Sequence, residues 1–85
     1  MPSFAVERYL PGSSDAERAA EIARIRAARD ALCQLGVSHR SSMLVPADEL
    51  CMHLFDAPRQ ADLIVAFRNL RLTYDRIVEV ELDRP

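Results

Sequence analysis

Apolar residues alternate with polar or small residues in four short stretches, and this period-two pattern predicts four β-strands. The clearest stretch spans residues 49–55, and the others span residues 4–10, 37–45 and 77–82. In the clearest stretch one side of the strand would carry Leu50, Met52 and Leu54. The other side would carry Cys51, His53 and Phe55. We expect the aliphatic set to face the helices and the second set to point away from them.

Apolar residues recur at three- and four-residue steps in a first helical segment. It follows a capping box formed by Ser14 and Glu17 and runs to about residue 35, where Gly36 supplies a left-handed C-cap. Its apolar stripe is predicted to contain Ile22, Ile25, Ala28 or Arg29, Leu32 and Leu35. We expect Cys33 to be a small core residue of the same helix.

A second helix is predicted over residues 58–70, with Asp56 as its cap and Pro58 in its first turn. A short link at residues 46–48 joins the second and third strands into a hairpin. The resulting order, β-α-β-β-α-β with right-handed crossovers, is that of the ferredoxin-like α+β fold. We therefore predict a single domain over residues 1–85, with an antiparallel sheet of order 4-1-3-2 and both helices on one face.

The sheet face that points away from the helices is predicted to be too apolar for plain solvent. Its expected apolar residues are Ala5, Tyr9, Phe55 and Ile77. A chain of 85 residues buries only about 60 to 65% of its unfolded surface, so it is marginally stable alone. We therefore expect a homodimer that packs sheet on sheet or extends the sheet.

Composition narrows the classes of partner. A net charge of −2 provides no basic surface for nucleic acid, and no apolar run is long enough to span a membrane. The 11 basic residues are all arginine, which indicates a GC-rich genome and carries no binding signal. The two cysteines lack metal or redox spacing and are expected to be reduced thiols. The N-terminus does not resemble a signal peptide, so a cytoplasmic location is predicted.

Five segments carry a resemblance to a known family. They are Val6-Glu7-Arg8-Tyr9-Leu10-Pro11-Gly12, Gly36-Val37, Ser42, Asp56-Ala57-Pro58 and Asp75-Arg76-Ile77-Val78-Glu79-Val80. Their order and spacing resemble a family of small actinobacterial proteins of undefined function, over nearly the whole chain. At least one member is described as a nickel-binding protein with a dimeric ferredoxin-like fold. The resemblance therefore implies dimerisation and a site for nickel or another divalent metal.

Several ionisable side chains are predicted to share the open side of the sheet. They are Glu7, Tyr9, His53, Glu79 and Glu81. Because directly opposed residues lie about 4.5 to 5.5 Å apart at Cβ, Glu79, Glu7 and His53 are expected to form a row. His53 with Glu7 would suit a divalent metal, and His53 with either glutamate would suit acid–base catalysis. The alternative is that both glutamates only pair with arginines at the surface or at a dimer interface.

The sequence does not determine which residues of the second strand point away from the helices, because a shift of one residue in the pairing exchanges the two sides of the strand. Either His39, Ser41 and Met43 or Ser38, Arg40 and Ser42 would join the open side. Arg40 beside Ser42 would suit an anionic ligand, and a solvated edge strand is the alternative. Tyr9 and Cys51 are further ligand-binding candidates. Cys51 is expected about 7 Å along the strand from His53, so a direct hydrogen bond between them is not assured.

These candidates lead to three functional hypotheses. The first is a small homodimeric protein that binds a small molecule or metal ion on the open sheet face. The alternative is a small cofactor-independent enzyme, of the cyclase, isomerase or monooxygenase type, acting on a compact organic substrate in a dimer pocket. The third is a structural or regulatory partner without a site.

Overall fold

The computed structural model describes residues 1–83, which form a four-stranded antiparallel sheet covered on one side by three helices. The elements are β1 (Ser3–Tyr9), α1 (Asp15–Ala27), α2 (Arg29–Gln34), β2 (Ser38–Val45), a 3₁₀ turn (Pro46–Asp48), β3 (Leu50–Asp56), α3 (Gln60–Asn69) and β4 (Arg76–Val80). The strand order 2-3-1-4 is the predicted order read from the opposite edge. This α+β arrangement is compatible with the ferredoxin-like fold. None of the helices in the described range is both long and apolar enough to cross a bilayer.

The predicted first helix is divided at Ala28, which ends α1 and precedes α2. The capping box at its start is confirmed. The Ser14 hydroxyl accepts a hydrogen bond from the Glu17 amide at 3.1 Å, and the Glu17 carboxylate accepts one from the Ser14 amide at 3.2 Å. Gly36 has the predicted left-handed conformation, with φ at 87°, and so lets the chain leave α2 without steric strain.

The helices cover the side of β3 opposite to the one that we predicted. The fully buried residues of this strand are Cys51, His53 and Phe55, each 0% exposed. The half-buried residues are Leu50, Met52 and Leu54, on the uncovered side. The predicted facing of β3 is therefore wrong. Phe55 fills more core volume than any of the aliphatic residues, and hydrogen bonds compensate the burial of His53.

The apolar core lies between the helices and the covered side of the sheet. It consists of Phe4, Val6, Ile25, Leu32, Val37, Phe55, Ala57, Leu63, Ala66, Phe67 and Ile77. The rings of Phe55 and Phe67 meet edge to face, with centroids 5.5 Å apart, and so fix α3 over β3.

The apolar stripe of the first helix differs from its prediction. Ile25 and Leu32 are buried as expected, but Leu35 is 41% exposed and Cys33 is exposed. Glu21 lies one helical turn before Ile25 and faces the sheet, and it is only 7% exposed. A carboxylate therefore occupies a position that belongs to the core by its spacing.

The uncovered side of the sheet is called the open face below. The strand registers place on it Ser3, Ala5, Glu7 and Tyr9 from β1, Ser38, Ser41, Met43 and Val45 from β2, Leu50, Met52, Leu54 and Asp56 from β3, and Arg76, Val78 and Val80 from β4. Ala5 and Tyr9 lie there as predicted, whereas Phe55 and Ile77 belong to the core. The open face is still mainly apolar, but through different residues.

The facing of β3 can be tested by the reactivity of the two thiols. Cys33 is exposed and Cys51 is fully buried on the covered side. In native protein we expect Ellman's reagent to titrate one thiol rapidly and the second only after unfolding. Cys33→Ser should remove the rapid phase and Cys51→Ser the slow one. Two rapid thiols in the native protein would contradict the burial of Cys51.

Candidate functional site

A series of hydrogen bonds crosses the covered side of the sheet from α1 to the edge strand β2. Glu21 Oε2 lies 2.9 Å from His53 Nε2, and His53 Nδ1 lies 2.7 Å from the Ser42 hydroxyl. The same hydroxyl lies 2.9 Å from His39 Nε2, and His39 Nδ1 lies 3.1 Å from Arg29 Nη2. We call these five residues the polar chain.

Local structure brings the members of the polar chain together. Glu21 faces the sheet because it lies one helical turn before the buried Ile25. Ser42 and His53 are paired neighbours on β2 and β3, so their side chains point to the same side. His39 joins them because a bulge follows it and shifts the alternation of β2 by one residue.

The direction of each hydrogen bond follows from the chemistry of the two ends. Arg29 only donates, so His39 accepts at Nδ1 and donates from Nε2 to the Ser42 oxygen. The Ser42 proton is then directed to His53 Nδ1, and His53 Nε2–H donates to the Glu21 carboxylate. With both imidazoles neutral, every polar group in the series has a partner of the opposite type. The arrangement fixes one tautomer for each imidazole.

The negative end of the polar chain is held by positive groups. Burial raises the pKa of Glu21, but hydrogen bonds from His53 and Arg24, together with the charge of Arg24, outweigh it and lower the pKa to about 2. Arg24 donates to both carboxylate oxygens, at 3.0 and 2.7 Å. Arg8 Nε lies 3.9 Å from the same carboxylate and is buried without a hydrogen-bond partner within residues 1–83. Glu21 is therefore ionised at neutral pH.

Burial shifts the pKa values of His39 and Cys51 in opposite directions. Burial, followed by the charge of Arg29, lowers the pKa of His39, which keeps this imidazole neutral. Burial, followed by the charge of Glu21, raises the pKa of the Cys51 thiol to about 11. Cys51 Sγ lies 3.6 Å from His53 Nε2, much closer than the predicted spacing. Because the thiol stays protonated, Cys51 is a poor nucleophile despite this contact.

The predicted row of Glu79, Glu7 and His53 does not form. His53 pairs with Val6 across the sheet and lies on the covered side, whereas Glu7 lies on the open face. The register of β4 places Glu79 on the side of Phe4, also away from Glu7. His53 and Glu7 therefore cannot bind one metal ion or act on one substrate within this chain. The residues present do not fit the metal pair predicted for nickel.

Glu7 pairs with an arginine, which was the alternative to a role in a metal or catalytic site. Its carboxylate accepts a hydrogen bond from Arg76 Nη2 at 3.3 Å, and the residue is 5% exposed. Tyr9 lies on the same face and is 50% exposed. These two predicted site residues therefore remain together, but without His53.

Neither of the two sets of β2 residues predicted for the open side lies there completely. The bulge between His39 and Ser41 changes the alternation of side chains within the strand. Arg40 pairs with Asp56 at 3.4 Å, whereas Ser42 is directed to the covered side, so they do not form the predicted anion site. Asp56, predicted to cap the second helix, instead accepts a hydrogen bond from Ser3 at 2.8 Å. That helix begins at Gln60 without a side-chain cap.

Metal-ligating side chains and surface cavities indicate where a ligand could bind. Within residues 1–83, no three histidine, cysteine, aspartate or glutamate side chains are grouped to hold a metal ion. A cavity of about 500 Å³ lies at the end of the sheet where β1 begins. It is lined by Met1, Pro2, Ser3, Asp56, Glu79, Val80, Glu81 and Leu82, none of which belongs to the polar chain.

Sequence reasoning missed Glu21. The signal was present in the spacing, because Glu21, Ile25, Ala28 and Leu32 follow one another at steps of four, three and four residues. A glutamate in register with a buried stripe needs a buried partner, and His53 was the available imidazole.

Comparisons of this chain with family models, curated proteins and solved structures find no match. The resemblance to the actinobacterial family therefore stays a prediction.

The buried Glu21 carboxylate makes stability depend on pH. Its pKa is lowered from 4.5 to about 2, which corresponds to about 3 kcal/mol of stabilisation of the folded state. This contribution is complete above the unfolded pKa near 4.5 and disappears as the pH falls through the folded pKa near 2. We expect Glu21→Gln to lower the free energy of unfolding at pH 7 by about 3 kcal/mol. The deficit should shrink steadily below pH 4.5.

Urea denaturation at a series of pH values measures this difference. The matched control is Glu81→Gln, because Glu81 is exposed. Its effect should stay within about 0.5 kcal/mol at every pH. A Glu21→Gln deficit that did not change with pH would show that the charge of Glu21 is not the stabilising feature.

Proposed function

We propose that the protein acts as a homodimer whose open faces pack together and enclose a compact, mainly apolar ligand beside the Glu7–Arg76 ion pair. The observation that carries the proposal is the Glu7 carboxylate, which is 5% exposed although no helix within residues 1–83 covers its side of the sheet. A charged group so placed in an apolar surface gives that surface a polar anchor.

The open face has the composition of an interaction surface. Its apolar residues are Ala5, Tyr9, Met43, Val45, Leu50, Met52, Leu54, Val78 and Val80, and its two central rows also contain Glu7, Arg76 and Ser41. Polar residues lie at one end, where Ser3, Ser38 and Asp56 form a row. Apolar surface rimmed by polar residues is typical of protein–protein and ligand contacts. Covering it would remove apolar side chains from water and so stabilise a small domain.

Charge favours a second copy of the chain as the partner. In a two-fold dimer each patch meets an identical patch, so one Glu7–Arg76 pair can approach the other. The Glu7 side chain is 7% exposed and the Arg76 side chain is 63% exposed. The guanidinium therefore has donors left for the partner's carboxylate or for a ligand, and opposite charges would meet across the axis.

The size of the face sets the expected affinity. Four strands about 4.8 Å apart and seven residues of about 3.3 Å each give a face of roughly 15 by 23 Å. Such a face has a flat area of roughly 350 Å² for each partner, which is smaller than the roughly 800 Å² that each partner of a standard interface buries. We therefore expect a reversible dimer with a dissociation constant in the micromolar range.

The ligand part of the proposal rests on two methionines. Met52 lies on a central strand of the open face, and its paired neighbour Met43, on the edge strand β2, is 46% exposed. Unbranched thioether side chains adapt to irregular apolar shapes, so they can line a pocket between two sheets. Arg76 would bind an anionic group on such a ligand.

Met52→Glu tests the interface, because it places a carboxylate in the centre of the open face. An unpaired buried charge costs several kcal/mol, so we expect association to weaken by roughly 100-fold or more. Sedimentation velocity over a range of concentrations measures the monomer–dimer equilibrium. Val65→Glu is the matched control, since Val65 is 48% exposed on α3, on the helix-covered side of the sheet.

The same pair of variants tests ligand binding with anilinonaphthalene sulfonate, an apolar anion that matches the proposed lining. Saturable fluorescence enhancement should occur with native protein and Val65→Glu and be lost with Met52→Glu. Dimerisation without this difference would overturn the ligand part alone. A wild-type chain that stays monomeric at about 100 µM would overturn the dimer, because the expected dissociation constant is in the micromolar range.

A further inference from the structure

We propose that Ser42 is a nucleophile that accepts an acyl group from compact activated esters, with His53 as its base and Glu21 orienting that base. This activity is independent of the proposed dimer, because all three residues lie on the covered side of the sheet. It assigns a reactive function to the polar chain beyond its role in folding.

The geometry meets the requirements for an activated hydroxyl. The nucleophile lies 2.7 Å from Nδ1 of the base, and the base lies 2.9 Å from the orienting carboxylate. The carboxylate is ionised and accepts the Nε2 proton of His53, so the lone pair of Nδ1 points to Ser42. The ring nitrogens exchange the roles that they have in the common serine–histidine–aspartate arrangement, but the hydrogen-bond logic is the same.

The nucleophile is less buried than its base and the orienting carboxylate. His53 is 0% and Glu21 is 7% exposed, whereas Ser42 is half-buried on the edge strand β2. Ser42 is therefore the least buried of the three, and a reagent would approach the site from its side. Leu44 lies on the same side, two residues along the strand, and is 36% exposed. It offers an apolar contact for a short acyl group.

His39 supplies a second function at the same atom. Its Nε2–H donates to the Ser42 oxygen at 2.9 Å, and Arg29 holds it in the tautomer that donates. When the Ser42 oxygen attacks a carbonyl, the oxyanion develops on the substrate oxygen, which is bonded to the same carbon as Oγ. The His39 N–H is held beside Oγ and would stabilise the tetrahedral intermediate by shifting its hydrogen bond to that oxygen.

The step balances without a further reagent. Ser42 Oγ forms a bond to the carbonyl carbon while its proton passes to His53 Nδ1. The tetrahedral intermediate collapses, the bond to the leaving oxygen breaks, and that oxygen takes the proton from His53. Water attacks the Ser42 ester by the same path in reverse, which releases the carboxylic acid and restores the hydroxyl.

A fluorophosphonate probe tests the nucleophile directly, because an activated serine oxygen displaces fluoride and keeps the phosphonyl group. We expect one label for each chain, mapped by peptide mass spectrometry to Ser42. Ser42→Ala should abolish labelling while circular dichroism remains native. Ser13→Ala is the matched control, because Ser13 is also half-buried but its hydroxyl contacts Arg18 instead of an imidazole. Its labelling should equal that of the wild type.

Glu21→Gln tests whether Ser42 reacts because its base is oriented or only because its hydroxyl is exposed. Without the orienting carboxylate we expect labelling of Ser42 to slow by roughly 100-fold, within the range that a positioned base contributes. Equal rates in Glu21→Gln and wild type, both folded, would remove Glu21 from the proposal and leave an ordinary serine. Absence of label from native wild-type protein, or equal labelling of Ser42→Ala, would overturn the proposal altogether.

Discussion

The hydrogen bond between Glu21 and His53 determines how the two layers of this domain fit together. A carboxylate taken out of water destabilises the fold unless it is paired. Arg24 pairs with it from within α1, and α1 packs on the sheet where His53 also reaches it. Arg24 also donates to the Thr73 carbonyl at 2.9 Å, which extends the connection to the loop before β4. The position of α1, the rotamer of His53 and this loop are therefore coupled.

This coupling explains why β3 has the facing that it has. If His53 and Cys51 pointed to the open face, Glu21 would lie in the core with Arg24 as its main partner, and Phe55 would leave the aromatic contact with Phe67. The aliphatic side chains on the other side of β3 tolerate half-burial, whereas the Glu21 charge does not. Leu50, Met52 and Leu54 lie on the open face because Cys51, His53 and Phe55 take the covered side.

The periodicity of the sequence was sufficient to predict the element order, the strand order, the capping box and Gly36. It could not decide which side of an amphipathic strand is buried, because Leu50 to Phe55 carries bulky side chains on both sides. Treating His53 as an outward polar residue inverted β3, and the predicted row with Glu7 followed from that one inversion. The partner that would have corrected it, Glu21, is distant in sequence and lies on a helix assumed to be apolar on its inner face.

The bulge in β2 is the second feature that the period-two pattern could not predict. His39 and Ser42 are three residues apart, and in a regular strand such residues lie on opposite sides of the sheet. The bulge after His39 adds one residue to the alternation, so both side chains reach the covered side and two imidazoles meet one hydroxyl. A strand whose only task was to complete the sheet would have no need of this irregularity. Because the bulge lies directly beside Ser42, the surroundings of that hydroxyl are the part of the fold that depends most on local backbone geometry.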